Sequence, residues 1–427
     1  MPKVLEIGTS KSSSSRESWN ESLRCLPNED LGGTGIAASK RQSFIMEQDH
    51  YPDPSLSSSD ARYLVHGKLG EGAFGDVRLG TDRETGKKVA LKYIRVLSKG
   101  EGLPRAVFRE VEALRQLREG AHIVRLLDVF PDESNLCLAL EYHPSDLSEV
   151  ISQARDFIPV AHVKAYAQML LEALSYMHAR HIIHRDVKPS NVLLSSTGAV
   201  KLADFGLARV LPSTTDNTCG AGPAAAAPTP DPAARQQDLS HQVATRWYRP
   251  PELLFASRNY SFSADVWSAG VVVAELFSLQ PLVPGTNDID QMFRVFQIMG
   301  SPTPECWSGV GELPDYNKVS FPGLRAIDFG LVIPRLQAAD AAFLRTMLVL
   351  DPARRVTAAE VCTNEYFNAH PLPVQQAFLE CPTRAVPSAQ AGAGRNDVKS
   401  IPQLSSSPLE DWEKEDLRLS NVLSQLI

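Results

Sequence analysis

Two short runs in the middle of the chain carry side chains that phosphoryl transfer needs. His-Arg-Asp at 184–186 places a carboxylate in one run, and Asp-Phe-Gly at 204–206 places another further along the chain. Asp204 could hold Mg²⁺, and Asp186 could orient a hydroxyl nucleophile. Either run alone is weak support, because three-letter strings recur by chance. The two runs in this order, with further polar residues between them, predict transfer of phosphate from a magnesium-bound nucleotide.

The loop after Asp186 offers two more groups suited to this chemistry. Lys188 could stabilise charge on the transferring phosphoryl group, and Asn191 could join Asp204 as a ligand of Mg²⁺. A carboxylate and an amide oxygen suit a hard ion that keeps several waters. A purely structural interpretation would have to explain three separately placed polar groups at once.

A glycine-rich segment nearer the N-terminus could bind the phosphates. Gly-Glu-Gly-Ala-Phe-Gly at 70–75 is followed by residues that continue as a strand, whereas a dinucleotide-binding fingerprint opens a helix. We therefore predict a hairpin whose backbone N–H groups approach phosphate oxygens, with Val77 covering an adenine ring. Lys92 could supply a cation to the α- and β-phosphates, held by Glu110 on the following helix. The alternative for Glu110 is a surface position on a helix rich in Arg and Glu.

The elements that must position these groups can be read from the spacing of apolar residues. From residue 62, alternation predicts three strands separated by turns, and helical spacing after Pro104 predicts one helix. Strands are predicted again at 123–130 and 136–141, and helices at 163–178, 264–279, 289–299, 338–350 and 358–366. The sequence thus predicts an α+β fold, with a small β-rich lobe at 61–142 and a larger, mainly helical lobe at 143–368.

Three segments depart from this regular pattern. Residues 1–60 are rich in Ser, Asn, Gly and Pro, a composition that predicts a disordered arm. A low-complexity stretch of Ser, Thr, Pro, Ala and Gly at about 210–239 predicts a flexible insertion. The tail at 369–427 is predicted to be mostly disordered, with an amphipathic helix at 408–427.

The overall composition argues against several classes of protein. The 427 residues are 43% hydrophobic, which can build a sizeable core, and the net charge of -7 gives no basic surface for nucleic acid or anionic lipid. The longest apolar run, at 266–277, is interrupted and too short to span a bilayer. Six scattered cysteines lack the spacing of a zinc or redox site. We expect an intracellular protein that binds neither nucleic acid nor membrane.

These residues resemble the eukaryotic protein kinase family over about residues 63–367. Segments that resemble the cyclin-dependent kinases are Pro-Arg-Ala-Val-Phe-Arg-Glu at 104–110, Thr-Arg-Trp-Tyr-Arg-Pro-Pro-Glu at 245–252, Asp-Val-Trp-Ser at 265–268 and Leu-Pro-Asp-Tyr-Asn-Lys at 313–318. Within that family the chain looks most similar to the cell-cycle-related kinases and the plant F-type CDK-activating kinases, and the latter also carry a long activation-segment insertion.

The resemblance implies a bilobal protein kinase fold and a serine/threonine kinase that uses ATP and Mg²⁺. It implies protein substrates, a role in cell-cycle control or in the activation of other cyclin-dependent kinases, a location in nucleus and cytoplasm, and a monomer when free. A cyclin partner stays open, because 104–110 departs from the usual cyclin-contacting helix at several positions.

By the same resemblance, the ATP-binding residues can be assigned individually. Glu141 and His143 would contribute hinge backbone groups beside the gatekeeper Leu140, and Asp146 would lie near the ribose. The full set is Leu69, Gly70, Glu71, Gly72, Ala73, Phe74, Gly75, Val77, Ala90, Lys92, Glu141, His143, Asp146 and Leu193. Ala73 and Phe74 stand where many cyclin-dependent kinases carry phosphorylatable Thr and Tyr, so that inhibitory control is absent.

Five further residues match positions that brace the family's active site. Glu252 should pair with Arg355, and Asp265 should anchor the loop that carries Asp186. Thr245 should contact Asp186 and Lys188. Arg249 matches an arginine associated with preference for proline after the target residue, although relatives that activate other kinases phosphorylate threonines without that proline.

Three arginines match those that grip a phosphate on the activation segment, namely Arg109, Arg185 and Arg209. Guanidinium groups that converge without an anion repel one another, so phosphorylation of Ser240 is the favoured prediction. The alternative is that Asp238 or Asp216 supplies the negative charge.

A hypothesis of a different class is a pseudokinase that binds nucleotide and docks partners through its tail and inserted loop. Loss of Lys92, Asp186 or Asp204 would mark such a protein, and none of the three is lost. The sequence therefore favours the enzyme.

Overall fold

The computed structural model describes residues 62–72, 75–95, 104–132, 135–211, 246–258 and 260–377. The predicted arm, nearly all of the predicted insertion and the predicted helix at 408–427 lie outside these residues. Ala73, Phe74, Ser240 and Thr245 also lie outside them. The described residues form a bilobal α+β fold.

Five antiparallel strands form the sheet of the small lobe. They are β1 (Tyr63–Gly72), β2 (Gly75–Asp82), β3 (Lys88–Arg95), β4 (Leu126–Asp132) and β5 (Asn135–Glu141), in the order β1-β2-β3-β5-β4. Gly75 lies where β2 passes close to β3. Its φ is +156°, and a Cβ atom there would lie 1.8 Å from the carbonyl oxygen of Tyr93. Only glycine fits this position, because any side chain would collide with backbone.

Helix α1 (Arg105–Gln116) covers one face of this sheet. Val107 and Val111, one turn apart, pack against Val129 and neighbouring apolar residues of β5. Burying each valine contributes roughly 1.5–3 kcal/mol relative to leaving it exposed. Glu110 lies between them on the same helical face and is also buried. The apolar contacts of α1 therefore turn Glu110 towards the sheet, where Lys92 lies on β3.

The large lobe is built mainly of helices. They are α2 (Leu147–Gln153), α3 (Val160–His178), α4 (Pro251–Leu254), α5 (Ser263–Ser278), α6 (Asp288–Met299), α7 (Phe329–Val332), α8 (Ala338–Met347) and α9 (Ala358–Cys362). Fourteen of the sixteen residues of α5 are buried, so this helix runs through the centre of the lobe. None of the helices in the described part of the chain combines the length and apolar character that a membrane span needs.

Five short strands flank the loops at the boundary between the two lobes. They are β6 (Ser145–Asp146), β7 (Ile182–Ile183), β8 (Val192–Leu194), β9 (Val200–Leu202) and β10 (Arg209–Val210). The order β6-β8-β9 forms one small sheet, and β10 pairs with β7. Asp186 lies between β7 and β8, and Asp204 lies between β9 and β10, so the pairing of these short strands fixes the ends of both turns.

Several predicted boundaries were wrong for identifiable reasons. The strand predicted from residue 123 begins at Leu126, because Ile123 forms a bridge with Leu202 and so pairs with β9 instead. The helix predicted at 338–350 ends at Met347, and the one predicted at 358–366 ends at Cys362. A separate 3₁₀ turn follows at Glu365–Asn368, where the side chain of Asn364 caps a new start. The helices predicted at 163–178, 264–279 and 289–299 are confirmed within three residues.

Candidate active site

Lys92 joins the two lobes by contacting two carboxylates. Its Nζ donates to Glu110 Oε1 at 2.6 Å and Oε2 at 2.8 Å, and it lies 3.2 Å from Asp204 Oδ1. The side chains of Lys92 and Glu110 are 13% and 3% exposed. Burial opposes the charge on Lys92, but Glu110 and Asp204 outweigh it and hold the pKa of Lys92 above its ordinary value. A fixed, charged ammonium group is thus held at the point where both lobes meet.

Asp204 begins a tight turn whose next residue is locked in the core. Its backbone is left-handed, with φ 65°, and the 3₁₀ turn Phe205–Leu207 follows. Phe205 is fully buried and packs edge to face on His184, with ring centroids 4.9 Å apart. Burial would raise the pKa of Asp204, but Lys92 holds it below its ordinary value. The carboxylate therefore stays ionised, as a metal ligand must.

The loop around Asp186 is held by its own polar residues. Lys188 Nζ lies 2.7 Å from Asp186 Oδ2, and Asn191 Nδ2 donates to the same oxygen at 3.1 Å and to the Asp186 carbonyl at 2.9 Å. Burial raises the pKa of Asp186, although Lys188 opposes the shift. Because the amide nitrogen of Asn191 is committed to this loop, its oxygen Oδ1 is the atom suited to a metal. Together with Asp204, this donor set of hard oxygens fits Mg²⁺.

Asp265, at the start of α5, anchors this loop from below, as predicted. The backbone N–H groups of His184 and Arg185 donate to its two carboxylate oxygens, each at 2.8 Å. His178 Nε2 lies 2.9 Å from Oδ2. Burial would raise the pKa of Asp265, but these hydrogen bonds hold it below its ordinary value. The loop is therefore attached to the most buried helix of the large lobe.

A buried ion pair holds the short helix α4. Arg355 NH1 and NH2 contact Glu252 Oε1 and Oε2 at 3.0 and 3.2 Å, which confirms the predicted pair. The exposed fractions of the two side chains are 0% and 3%. Arg355 also donates to the carbonyl groups of Ser263 and Val349. The pair joins α4 to the turn before α9.

Comparison with known proteins agrees with this geometry. The protein kinase domain family matches residues 63–367. Cyclin-dependent kinase 20 of Pongo abelii is 39% identical over 334 residues, which cover 78% of this chain and 91% of that protein. The human protein of that name is 39% identical and the Mus musculus protein 38% identical, each over 323 residues, 76% of this chain and 88% of the relative. The chain belongs to the cyclin-dependent kinase family.

Residues of this cyclin-dependent kinase that the sequence assigned to adenine share one face of the small-lobe sheet with Lys92. Strand register places Val77 opposite Lys92, and Ala90 opposite Leu140. Opposed residues of antiparallel strands point to the same face, so these four side chains line one surface. Leu69 and Leu193 are half-buried, as are Val77, Ala90 and Leu140. This partial exposure suits a cleft that receives a ligand.

At the hinge of the kinase, side chains form contacts that the sequence did not predict. Glu141 Oε2 lies 3.6 Å from His143 Nε2 and 3.5 Å from Lys201 Nζ. Burial would raise the pKa of Glu141, but His143 and Lys201 lower it to about 2. The backbone N–H of Glu141 donates to the Arg125 carbonyl at 3.0 Å. The hinge is therefore held from the side of β4.

Asp146 has a structural role that the sequence analysis missed. It is buried, and its Oδ1 accepts hydrogen bonds from the Glu149 backbone N–H at 3.0 Å and from the Ser148 hydroxyl. The residue thus caps α2. The pattern of Asp followed three residues later by Glu is a known start signal for helices and could have revealed the cap. Its assignment to the ribose stays a prediction.

The three arginines assigned to a phosphate lie on elements that contact or follow the turn after Asp204. Arg185 donates from Nε to the Leu207 carbonyl at 2.6 Å and from NH1 to the Tyr260 hydroxyl at 2.5 Å. Arg209 lies on β10, which pairs with β7, and Arg109 lies on α1, which packs against the turn. Ser240, Asp238 and Asp216 lie outside the described residues. The tyrosine partner of Arg185 was not predicted.

Arg249 also has a partner that the sequence did not reveal. Its NH1 lies 3.5 Å from Asp288 Oδ1, at the start of α6. Burial lowers the pKa of Arg249, and Asp288 opposes this shift. Asp288 lies 39 positions further along the chain, so no local pattern links the two residues.

Proposed function

We propose that this cyclin-dependent kinase transfers the γ-phosphate of ATP, with Mg²⁺, to serine and threonine hydroxyls of proteins. The observation that carries the proposal is the position of Lys92, bonded to both Glu110 and Asp204. Lys92 lies on β3 and Glu110 on α1 of the small lobe, whereas Asp204 begins a turn of the large lobe. These contacts therefore require both lobes to be in the arrangement that phosphate transfer needs. Asp186, Lys188 and Asn191 complete the set in one loop.

The chain's own residues supply positioning and charge. Lys92 would bind the α- and β-phosphates, and Asp186 would accept a hydrogen bond from the substrate hydroxyl. Lys188 and Asn191 hold Asp186 Oδ2, so the direction of the carboxylate is fixed before substrate arrives. Lys188 would also offset charge on the phosphoryl group during transfer. Asp204 and Asn191 would hold Mg²⁺, which neutralises charge on the phosphates when bound.

Buried contacts around the loop at 184–191 hold Asp186 in a position and an environment suited to proton transfer. The hydrogen bonds from the loop to Asp265 hold Arg185 in a left-handed conformation, with φ 70°. The raised pKa of Asp186 makes its carboxylate a better proton acceptor than an exposed aspartate. A positioned base of this kind contributes about 10²- to 10⁴-fold to rate.

The finer assignments follow from membership of the family and are part of the proposal. We propose protein substrates in cell-cycle control, with other cyclin-dependent kinases and Ser/Thr-Pro proteins as the two substrate classes. We also propose that the chain is a monomer when free, acts in nucleus and cytoplasm and binds no nucleic acid. Phosphorylation of Ser240, gripped by Arg109, Arg185 and Arg209, would activate it.

Phosphate transfer by the purified full chain tests the proposal. The substrates are a Ser-Pro peptide and a catalytically dead cyclin-dependent kinase with its activation-loop threonine either intact or changed to alanine. Label from Mg-ATP only on the threonine form identifies a kinase that activates its relatives without a cyclin. Label on the peptide alone identifies a proline-directed kinase.

The variant Asp204→Asn separates catalysis from a contaminating activity. It should bind nucleotide more weakly in the presence of Mg²⁺ and transfer no phosphate. A chain that binds nucleotide but transfers nothing, with and without an added cyclin and after phosphorylation of Ser240, would establish the pseudokinase instead.

A further inference from the structure

One oxygen of Glu141 lies among three donors at the end of β5. The Arg125 backbone nitrogen lies 3.4 Å from Glu141 Oε2, Lys201 Nζ lies 3.5 Å from it and His143 Nε2 lies 3.6 Å from it. A hydrogen bond between charged nitrogen and oxygen is normally about 2.7–2.9 Å long. All three contacts are therefore longer than a fully formed bond to a carboxylate. We name Glu141, His143 and Lys201 the hinge cluster.

The hinge cluster joins the two lobes. Glu141 is the last residue of β5 in the small lobe, whereas Lys201 lies on β9 of the large lobe. The pairing of β8 with β9 places Lys201 opposite Leu193, which the sequence assigned to adenine. Lys201 Nζ also lies 3.5 Å from the carbonyl oxygen of Ile123, before β4. Lys201 thus reaches from the large lobe to two points of the small lobe.

The hinge cluster is largely shielded from solvent, yet its contacts are not fully formed. The exposed fractions of the Lys201, Glu141 and His143 side chains are 14%, 32% and 3%. Within the described part of the chain, neither ring nitrogen of His143 has a hydrogen-bond partner at normal distance. A buried polar atom without a partner costs free energy. The contacts of the Glu141 carboxylate therefore have both the room and the driving force to shorten.

A contact with room to shorten can be coupled to ligand binding. A contact changes the affinity for a ligand only if it differs between the free and the bound chain. By the proposed function, adenine binds to the backbone of the hinge beside the Glu141 side chain. A ligand there restricts the hinge backbone, and a restricted hinge lets Lys201 close on Glu141 at a smaller loss of conformational entropy.

We propose that Lys201 and Glu141 are positioning residues for the nucleotide, whose ion pair shortens when adenine occupies the hinge and then holds the two lobes together. The proposal rests on the proposed function, since it assumes a nucleotide at the hinge. Neither side chain needs to touch the nucleotide, so the effect falls on nucleotide affinity and not on the transfer of phosphate. In the competing arrangement Glu141 closes on His143 instead, and Lys201 has no part in nucleotide binding.

The affinity of the full chain for ADP tests this pair. ADP with Mg²⁺ is titrated calorimetrically into the parent chain, Lys201→Met, Glu141→Gln and the double variant. Each single variant should raise Kd roughly two- to tenfold, between the range of an exposed ion pair and that of a buried charged hydrogen bond. The double variant should raise Kd no further, because either single change already breaks the same contact. Lys201→Arg keeps the charge and should restore most of the affinity.

Steady-state kinetics with a Ser-Pro peptide separate positioning from catalysis. Lys201→Met and Glu141→Gln should raise KM for ATP by the same factor as Kd and leave kcat nearly unchanged, because the pair acts equally before and during phosphate transfer. Lys318→Met is the matched control, since Lys318 pairs with Asp315 at 2.7 Å in an exposed ion pair of the large lobe. It should change neither constant. Thermal unfolding without nucleotide reports on the stability of each variant.

The outcomes distinguish this proposal from the proposed function. An unchanged Kd in Lys201→Met, or increases in Kd that add in the double variant, would overturn the role of the pair and leave the kinase assignment intact. So would a lower melting temperature or a lower kcat with unchanged Kd, which would indicate a structural brace. Weaker binding of ADP by His143→Leu but not by Lys201→Met would establish the competing arrangement. Failure of the parent chain to bind ADP would overturn the proposed function and, with it, this pair.

Discussion

The two carboxylates around Lys92 have different roles, and one substitution separates them. Glu110 is buried and lies within 2.8 Å of the ammonium group through both oxygens, whereas Asp204 contacts it at 3.2 Å. In Glu110→Gln, Lys92 keeps Asp204 as its charged partner. We expect the ammonium to move towards Asp204, because that carboxylate is then its nearest anion. The lysine would leave the phosphates and compete with Mg²⁺ for the same ligand.

The size of the effect follows from the lost interaction. A hydrogen bond to a charged group contributes about 1.5–3 kcal/mol, and about 1.4 kcal/mol corresponds to a tenfold change in rate. We therefore expect kcat/KM for ATP to fall roughly 10- to 150-fold. The Mg²⁺ concentration that gives half-maximal activity should rise at the same time. Glutamine has nearly the shape of glutamate, so the fold should be retained.

Steady-state phosphate transfer at several Mg²⁺ concentrations measures both effects. Glu112→Gln is the matched control, since Glu112 lies on the same helix, is exposed and accepts its hydrogen bond from Gln116 at 2.7 Å. Thermal unfolding checks that both variants are folded. If Glu110→Gln kept kcat/KM within about threefold of the parent chain, or lost activity with an unchanged Mg²⁺ dependence, the roles given to the two carboxylates would be wrong.

Three further predictions concern the scaffold. Glu252→Gln leaves Arg355 buried without its anion and should cost about 3–5 kcal/mol in urea unfolding, and adding Arg355→Met should cost less than the sum of the single changes. Burial raises the pKa of Glu275 from 4.5 to about 7 in the folded chain, so the stability it contributes is full below pH 4.5 and is lost as the pH rises through 7. The free energy of unfolding of Glu275→Gln should thus rise by up to about 3 kcal/mol relative to that of the parent chain between pH 5 and pH 8. If the unfolding free energies of the two chains changed in parallel with pH, that pKa would be wrong. Asp265→Asn replaces one of the two carboxylate oxygens that accept from the loop N–H groups with an NH2 donor. It should lower kcat by roughly 10- to 100-fold with little change in KM for ATP, whereas an effect on KM alone would contradict its role in placing the loop.

Much of this fold could be predicted because its signals are local. Alternation of apolar residues marks β1 to β3, and helical spacing marks α1, α3 and α5. The start of β4 could not be predicted in the same way, because Ile123 and Val124 are also apolar but pair with Leu202 of β9. Which of two strands a segment joins depends on tertiary contacts that the segment's own residues do not encode.

The residues of the candidate site also differ in whether local sequence or tertiary contacts reveal them. The motif residues Asp186 and Asp204 were predicted because their chemistry is tied to short, ordered runs. The pairing of Glu252 with Arg355 was predicted only through resemblance to a family, since the two residues lie 103 positions apart. Asp288 could not be found by either route. Its contacts with Arg246 and Arg249 become visible only when the fold brings the three residues together.

The two runs that identify the chemistry also share a backbone feature that the sequence does not show. Arg185, just before Asp186, has φ 70°, and Asp204 has φ 65°. Residues other than glycine in this left-handed region cost on the order of 1–3 kcal/mol each, and they persist only where surrounding contacts over-determine them. Asp265 supplies those contacts for Arg185 through two backbone hydrogen bonds, and the burial of Phe205 supplies them for Asp204. The two supports differ in kind. Directional hydrogen bonds to a buried helix hold the loop at 184–186, whereas the turn at 204–206 is held by the packing of the Phe205 ring against His184 in the core.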